Sequence, residues 1–321
     1  MIKVHARHSR RSAIVRTAAA SIARPVLAYY PVSGPLAPTL HTLDLTARLL
    51  PRHRGTKVEK VTGEGWSAEL VSPRGVRSGK GAIIYFHGGA FIFCGLATHR
   101  RIVERLALRT GRPVLSVAYR QHGKGHVEQS VSDCVDATNW MITRGFEASG
   151  LVLAGDSAGG YLAFQVALEA SSQGIDLAGI VGLSPWLDFD NTERRNHANA
   201  RRDAYIPTYR LDRIARTVTG KPILEPALSP VNRDLAMLPP ALIICAADEI
   251  LRYDAELMTE RLEHAGVPVD LHIWEGQVHA FPVLAEMLPE SSQALDEADH
   301  VVEGVLDVAS RTLHAVSDRA V

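Results

Sequence analysis

The sequence predicts an α/β chain built on a mostly parallel, doubly wound sheet with a helical cap. Short continuous apolar runs at 82–86, 151–154, 180–183 and 241–247, with a similar run at 113–119, read as strands buried on both faces. Helical periodicity separates them, at 98–110, 127–145, 158–173 and 252–265. Strands and helices in alternation imply crossover connections, hence parallel pairing and helices on both faces of one sheet.

Each element has a local reason. Residues 57–61 and 66–72 alternate in polarity like half-buried strands, joined by the turn Gly63-Glu64-Gly65. Thr98 is placed to cap the helix that follows it. Gly266 closes the helix at 252–265. Val269–Trp274 is a further alternating strand, and a long helix is expected at 291–313. Two stretches lack strand patterning and read as additions. Residues 1–50 form an N-terminal helical cap segment: Ile14, Val15, Ala18, Ala19 and Ile22 recur at helical spacing, several prolines from Pro25 onward break the pattern, and a short helix is expected at 39–50. The other is a cap insertion at about 189–226, within a catalytic domain of 51–321.

Composition excludes some functions. Lys+Arg and Asp+Glu both number 35 in 321 residues, so the chain lacks the cationic excess of a nucleic-acid binder. Cys94, Cys134 and Cys245 are widely spaced and are expected to be free thiols, as in a reducing, cytoplasmic setting. No segment is apolar for the ~18 residues a membrane span needs. The first 43 residues carry Lys3, Arg7, Arg10, Arg11, Arg16 and Arg24 and no acid. That is a solvated basic face or, alternatively, a helix that touches an anionic membrane surface.

The most informative stretch is Gly155-Asp156-Ser157-Ala158-Gly159. A G-x-S-x-G sequence alone is weak, but here an apolar strand ends before it and a helical pattern starts after it. That is the strand–turn–helix setting of a nucleophile elbow. Ser157 would stand at a helix N-terminus, where free N–H groups favour negative charge. After the strand at 82–86 comes His87-Gly88-Gly89-Ala90, whose small residues let backbone N–H groups face an oxyanion. Candidate donors are Gly88, Gly89, Ala90 and Ala158; His87 reads as a buried brace for the loop.

An acid and a base should follow the serine in that order, each just past a strand. Asp248 is the first polar residue after the run at 241–247, with Asp254 a weaker candidate. His279 follows Val269–Trp274 and the turn at Gly276; His264 and His272 fall inside a helix and a strand, and His300 and His314 on or near the last helix. The expected triad is Ser157, Asp248 and His279, for acyl transfer to water.

Together these residues resemble the hormone-sensitive lipase family of carboxylesterases, on the α/β-hydrolase fold. The resemblance spans about 58–288 and includes His87–Ala90, Gly155–Gly160, Ser184-Pro-Trp-Leu-Asp188, Leu238–Pro240 and Gly276–Phe281. It implies the triad above, oxyanion donors at Gly89, Ala90 and Ala158, a cap over the site, and hydrolysis, without metal or cofactor, of small-molecule esters of short or medium acyl chain. Two departures stand out. The third glycine of the first motif is Ala90, and Tyr119-Arg120 continues as Gln121-His122-Gly123 instead of Ala-Pro-Glu. A ligand-binding protein without catalysis, or an amidase or deacetylase using the same triad, stays open at this point.

Overall fold

The computed structural model describes residues 1–32, 42–75 and 81–317, with side chains of the last helix described to residue 307. Nine strands form one sheet: β1 (Ile2–His5), β2 (Thr56–Thr62), β3 (Ser67–Pro73), β4 (Ala82–Phe86), β5 (Val114–Ala118), β6 (Leu151–Asp156), β7 (Gly179–Leu183), β8 (Ala241–Ala246) and β9 (Val269–Trp274). Their order is β1-β9-β8-β7-β6-β4-β5-β3-β2. β2 and β3, and β3 and β5, pair antiparallel; every other ladder is parallel.

Helices cover both faces, because the central strands are apolar on both. Within β4, Ile83 and Tyr85 point to one side and Ala82, Ile84 and Phe86 to the other. On the first side lie α4 (Arg100–Thr110) and α10 (Pro289–Ser317), packing Ile102, Leu106, Leu295 and Val302. On the second lie α5 (Val127–Thr143), α6 (Ala158–Ser172) and α9 (Arg252–His264), packing Met141, Leu162 and Met258. Each such buried side chain contributes roughly 1.5–3 kcal/mol of hydrophobic stabilisation.

The expected strands and helices recur within a few residues of the sequence reading, with three differences. The N-terminal stretch is not strand-free: Ile2–His5 adds a parallel edge strand to β9, with Ile2 opposite Leu271 and His5 opposite Trp274. Thr98 does not cap α4. Its hydroxyl instead accepts the N–H of Gly95 at 2.9 Å, and His99 occupies the cap position.

The prolines do not end the first helix where expected. Helix α1 (Arg10–Ala18) passes through a π-turn at Ala19–Ala23 into α2 (Arg24–Tyr29). The wider turn accommodates Pro25, which lacks an N–H and crowds the carbonyl one turn back. The expected helix at 39–50 is seen as α3 (Thr42–Ala47), and its earlier part lies outside the described residues.

The insertion carries α7 (Thr192–Asn196) and α8 (Arg210–Thr219). Its anchor is an ion pair with no exposure on either side: Arg194 Nε lies 2.8 Å from Asp254 Oδ1. Asp254, the weaker acid candidate, also accepts the N–H groups of Leu187 and Asp188, at 2.7 and 2.9 Å. Its carboxylate is thereby committed to holding the insertion onto α9.

Candidate active site

The carboxyl ends of β4, β6, β7, β8 and β9 converge on one rim, and a cavity of about 530 Å³ opens there. Gly89, Ala90, Ser157 and His279 line it together. Apolar side chains supply most of the remaining wall, from the first helices (Val15, Ile22, Leu27) and from the insertion (Ile206, Leu211, Ile214).

Ser157 sits between β6 and α6 with φ 52° and ψ −117°. This is a sparsely populated conformation that costs on the order of 1–3 kcal/mol and must be imposed by its surroundings. The surroundings are explicit. Ser157 N–H donates to Leu183 O at 2.9 Å, and its carbonyl accepts Trp186 N–H at 3.0 Å. Strand and helix approach so closely here that a Cβ on Gly159 would lie 1.9 Å from Phe86 O. Any side chain would push the elbow apart.

The loop after β4 is braced from beneath. Asp156, fully buried beside the serine, accepts Tyr85 Oη at 2.7 Å and Gly88 N–H at 3.0 Å, with His99 Nε2 3.3 Å away. Burial opposes ionisation of Asp156, but His99, Tyr85 and Gly88 outweigh it and hold its pKa below the usual carboxylate value. One candidate donor is thereby occupied: the Gly88 N–H is given to Asp156. Gly89 and Ala90 adopt positive φ, 112° and 53°, carrying the chain past the cavity. Ala158 is the first residue of α6, where backbone N–H groups have no intrahelical partner.

His87 is the brace the sequence suggested. Its Nδ1 lies 2.7 Å from Gly88 O and its ring stacks on Tyr119 at 4.5 Å. Burial, with help from His99, pushes its pKa down to about 4, so it stays neutral. The altered loop joins the same support: the Gln121 side-chain amide donates to Phe93 O and Cys94 O, at 3.2 and 3.1 Å, and lies 3.4 Å from His87 Nε2.

His279 follows β9 and is buried, with its Nδ1 2.8 Å from Glu249 Oε2. The partner is therefore Glu249 and not Asp248. The reason is a turn. Glu249 N–H bonds back to Ala246 O at 3.4 Å, so the chain reverses just after β8. Asp248 is carried outward by that reversal, and its Oδ2 meets Arg16 Nη1 of α1 at 2.6 Å. Glu249 returns inward, where its Oε1 accepts Ala246 N–H at 3.2 Å and its Oε2 faces the imidazole.

The insertion holds this turn in place. Asn199 Nδ2 donates to the carbonyls of Ala247 and Glu249, at 2.8 and 2.9 Å. Asp203 Oδ2 accepts Ile250 N–H at 2.8 Å. On the other side, Ser184 Oγ accepts Ala280 N–H at 3.0 Å and steadies the histidine loop. Sequence reasoning missed Glu249, Asn199 and Asp203, and it singled out Ser184 only as part of the Ser184–Asp188 segment, with no role. Of the three missed, only Glu249 had a signal, as a carboxylate adjacent to the chosen one.

Electrostatics follow from this packing. Burial alone would lower the His279 pKa. The hydrogen bond and charge of Glu249, with the charges of Asp203 and Asp156, outweigh burial and leave it raised.

A family model described as alpha/beta hydrolase fold matches residues 83–283. The chain belongs to the α/β-hydrolase fold family. This hydrolase is 38% identical to the esterase LipU of Mycobacterium tuberculosis over 265 residues, covering 79% of this chain and 89% of that protein. It is 34% identical over 284 residues to the carboxylesterase/phospholipase LipF of the same organism, covering 85% of this chain and 76% of LipF. Among solved structures, a bacterial hormone-sensitive lipase family esterase superposes with TM-score 0.82 at 28% identity, over 94% of this chain and 99% of that one. The esterase EstE5 gives TM-score 0.82 at 27% identity, with the same coverage. The hydrolase is thus an enzyme of the hormone-sensitive lipase type. Among its described residues no helix is long and apolar enough to cross a membrane.

Proposed function

We propose that this enzyme hydrolyses small carboxylic esters through a Ser157–His279–Glu249 triad. The observation that carries the reading is the buried 2.8 Å contact between His279 Nδ1 and Glu249 Oε2, in a cavity that His279 shares with Ser157. Nδ1–H pointed at a carboxylate leaves Nε2 as the free base. His279 takes the Ser157 proton as the hydroxyl oxygen attacks the ester carbonyl. Glu249 holds the imidazole in that tautomer and stabilises the imidazolium. The tetrahedral oxyanion is met by N–H groups of Gly89, Ala90 and Ala158. The imidazolium then protonates the leaving alcohol, and water attacks the acyl-serine by the same route.

The apolar wall suits an acyl chain. Burying one methylene is worth ~0.8 kcal/mol, so kcat/KM should rise about fourfold per added carbon until the cavity is filled. The two helical additions, whose side chains roof the cavity, act as its cap.

The test is a comparison of neighbours on p-nitrophenyl butyrate. Ser157→Ala should lower kcat about 10⁶-fold and Glu249→Gln about 10⁴-fold, whereas Asp248→Asn should lower it less than about tenfold. A larger loss at 248 than at 249 would return the acid role to Asp248. An organophosphate should leave one covalent adduct on Ser157; its absence would favour a ligand-binding protein. Matched ester and anilide substrates separate esterase from amidase.

A further inference from the structure

A second cluster lies outside the lining of the catalytic cavity, where β1 joins the sheet. His5 on β1, His272 on β9 and Glu297 on α10 bring one ligand atom each to within 4.8 Å of one another. Parallel pairing of β1 with β9 and the packing of α10 beside them create this meeting. We propose that His5, His272 and Glu297 bind a divalent transition-metal ion of the zinc class, which fastens the N-terminal strand to the body of the enzyme.

The chemistry of the donors fits. Two imidazoles and one carboxylate are a familiar zinc set, with a fourth position left for water. Both rings carry a nitrogen buried without a hydrogen-bond partner, His5 Nε2 and His272 Nδ1. Such atoms are rare in folded proteins because each forfeits its hydration for nothing. A metal supplies what is missing. His272 is 7% exposed, so its orphaned nitrogen has no access to bulk water.

Ring placement is also fixed in advance. His5 stacks on Trp274 with centroids 3.8 Å apart and planes 2° from parallel. Glu297 divides its oxygens: Oε1 takes Lys3 Nζ at 2.5 Å, and Oε2 stands 4.0 Å from His272 Nδ1. Ligand atoms around tetrahedral zinc lie about 3.3 Å apart, by the bond lengths for nitrogen and oxygen donors. Ion binding would draw the donors together by rotation of the His272 and Glu297 side chains. Glu297 is 28% exposed, which provides an entry path.

Lys3 is the opposing charge. Its ammonium beside Glu297 weakens the site, and ion binding has to overcome that repulsion.

The consequence is mechanical. β1 is four residues long, and it leads through Ser9 directly into α1, which lines the catalytic cavity. A metal bridging β1, β9 and α10 would pin the root of that segment without touching the catalytic groups.

The test uses untagged, chelator-treated enzyme titrated calorimetrically with Zn²⁺. One ion per chain is expected, with the melting temperature rising by a few degrees at saturation. His5→Gln and Glu297→Gln should each weaken binding at least about tenfold and abolish the thermal shift, with p-nitrophenyl butyrate turnover of the ion-free protein unchanged. Lys3→Ala should strengthen it. Circular dichroism establishes that each variant is folded; should His5→Gln unfold, Glu297→Gln and Lys3→Ala decide. Equal Zn²⁺ affinity in wild type and Glu297→Gln, or no binding by wild type, overturns the proposal.

Discussion

Two adjacent carboxylates divide the work at 248 and 249, and the pH profile reads out which one faces the histidine. In the proposed triad His279 must be neutral to act as base, and its pKa is raised above the ordinary 6.5 by Glu249 and nearby acids. Activity should therefore climb with pH through a midpoint above 6.5. Glu249→Gln should move that midpoint down as well as lowering kcat, while Asp248→Asn should leave it in place. A kcat–pH series on the two variants checks this. The stability sign is opposite. A raised folded pKa favours the protonated enzyme, so this contribution is present below about pH 6.5 and is lost as pH rises through the folded value. Ala90 supplies a second residue-level test. It stands at φ 53°, where a Cβ is disfavoured by about 1–2 kcal/mol. Ala90→Gly should relieve that cost, offset in part by backbone entropy, for a net gain of about 0.5 kcal/mol in chemical denaturation. The sequence made Ser157 and His279 legible because strand, glycine turn and order constrain them. It put the acid at Asp248 because that is the first polar residue after β8, and only the turn geometry shows that Glu249 is the carboxylate that faces His279. The bond from Gly88 N–H to Asp156 was hidden for a similar reason: the motif marks the loop and not the partner of each N–H.

At the scale of elements, the insertion does more than cover the cavity. Asn199 and Asp203 hold the 247–250 turn by its backbone, so the acid is presented by the insertion as much as by β8. Asn199→Ala would leave the carbonyls of Ala247 and Glu249 without this donor, a loss of about 1–3 kcal/mol. The expected outcome is a folded enzyme with a lower melting temperature, kcat reduced about tenfold and KM for a butyrate ester little changed. A KM change with kcat intact would mean that Asn199 shapes the pocket and not the triad. None of this was visible in the sequence, where 189–226 is merely polar and poor in strands. Side chains that hold another segment's backbone carry no periodicity and no motif. The central strands were legible because burial on both faces forces apolar runs. β1 was not, for the converse reason: Ile2 and Val4 are 59% and 58% exposed on the sheet's edge, so no burial pattern marks them. The π-turn before Pro25 escaped notice because proline signals a break and not the way a fold bypasses it.

At the scale of the whole molecule, the ion pair between the first helix and the acid-bearing turn has a distinct consequence. Arg16 of α1 meets Asp248 at 2.6 Å, joining the roof of the cavity to the turn that presents Glu249. The two side chains are 36% and 28% exposed, so the pair is partly screened and salt should weaken it. Its stabilisation is at most about 1 kcal/mol on that footing. Its leverage is positional, since Val15, Ala18, Ala19 and Ile22 on the same helical stretch form cavity wall. Arg16→Ala should loosen that wall while leaving the His279–Glu249 contact intact. Short acyl esters, which touch little of the roof, should keep both kcat and KM. Longer ones should show a rising KM, by up to about fivefold for ~1 kcal/mol of lost contact, with kcat nearly constant. Raising ionic strength should reproduce part of the effect in wild type and none in the variant. A p-nitrophenyl ester series from acetate to octanoate, run on both proteins at low and high salt, measures it. Equal KM ratios across the series would mean that α1 stays seated without the pair, held by its apolar contacts alone.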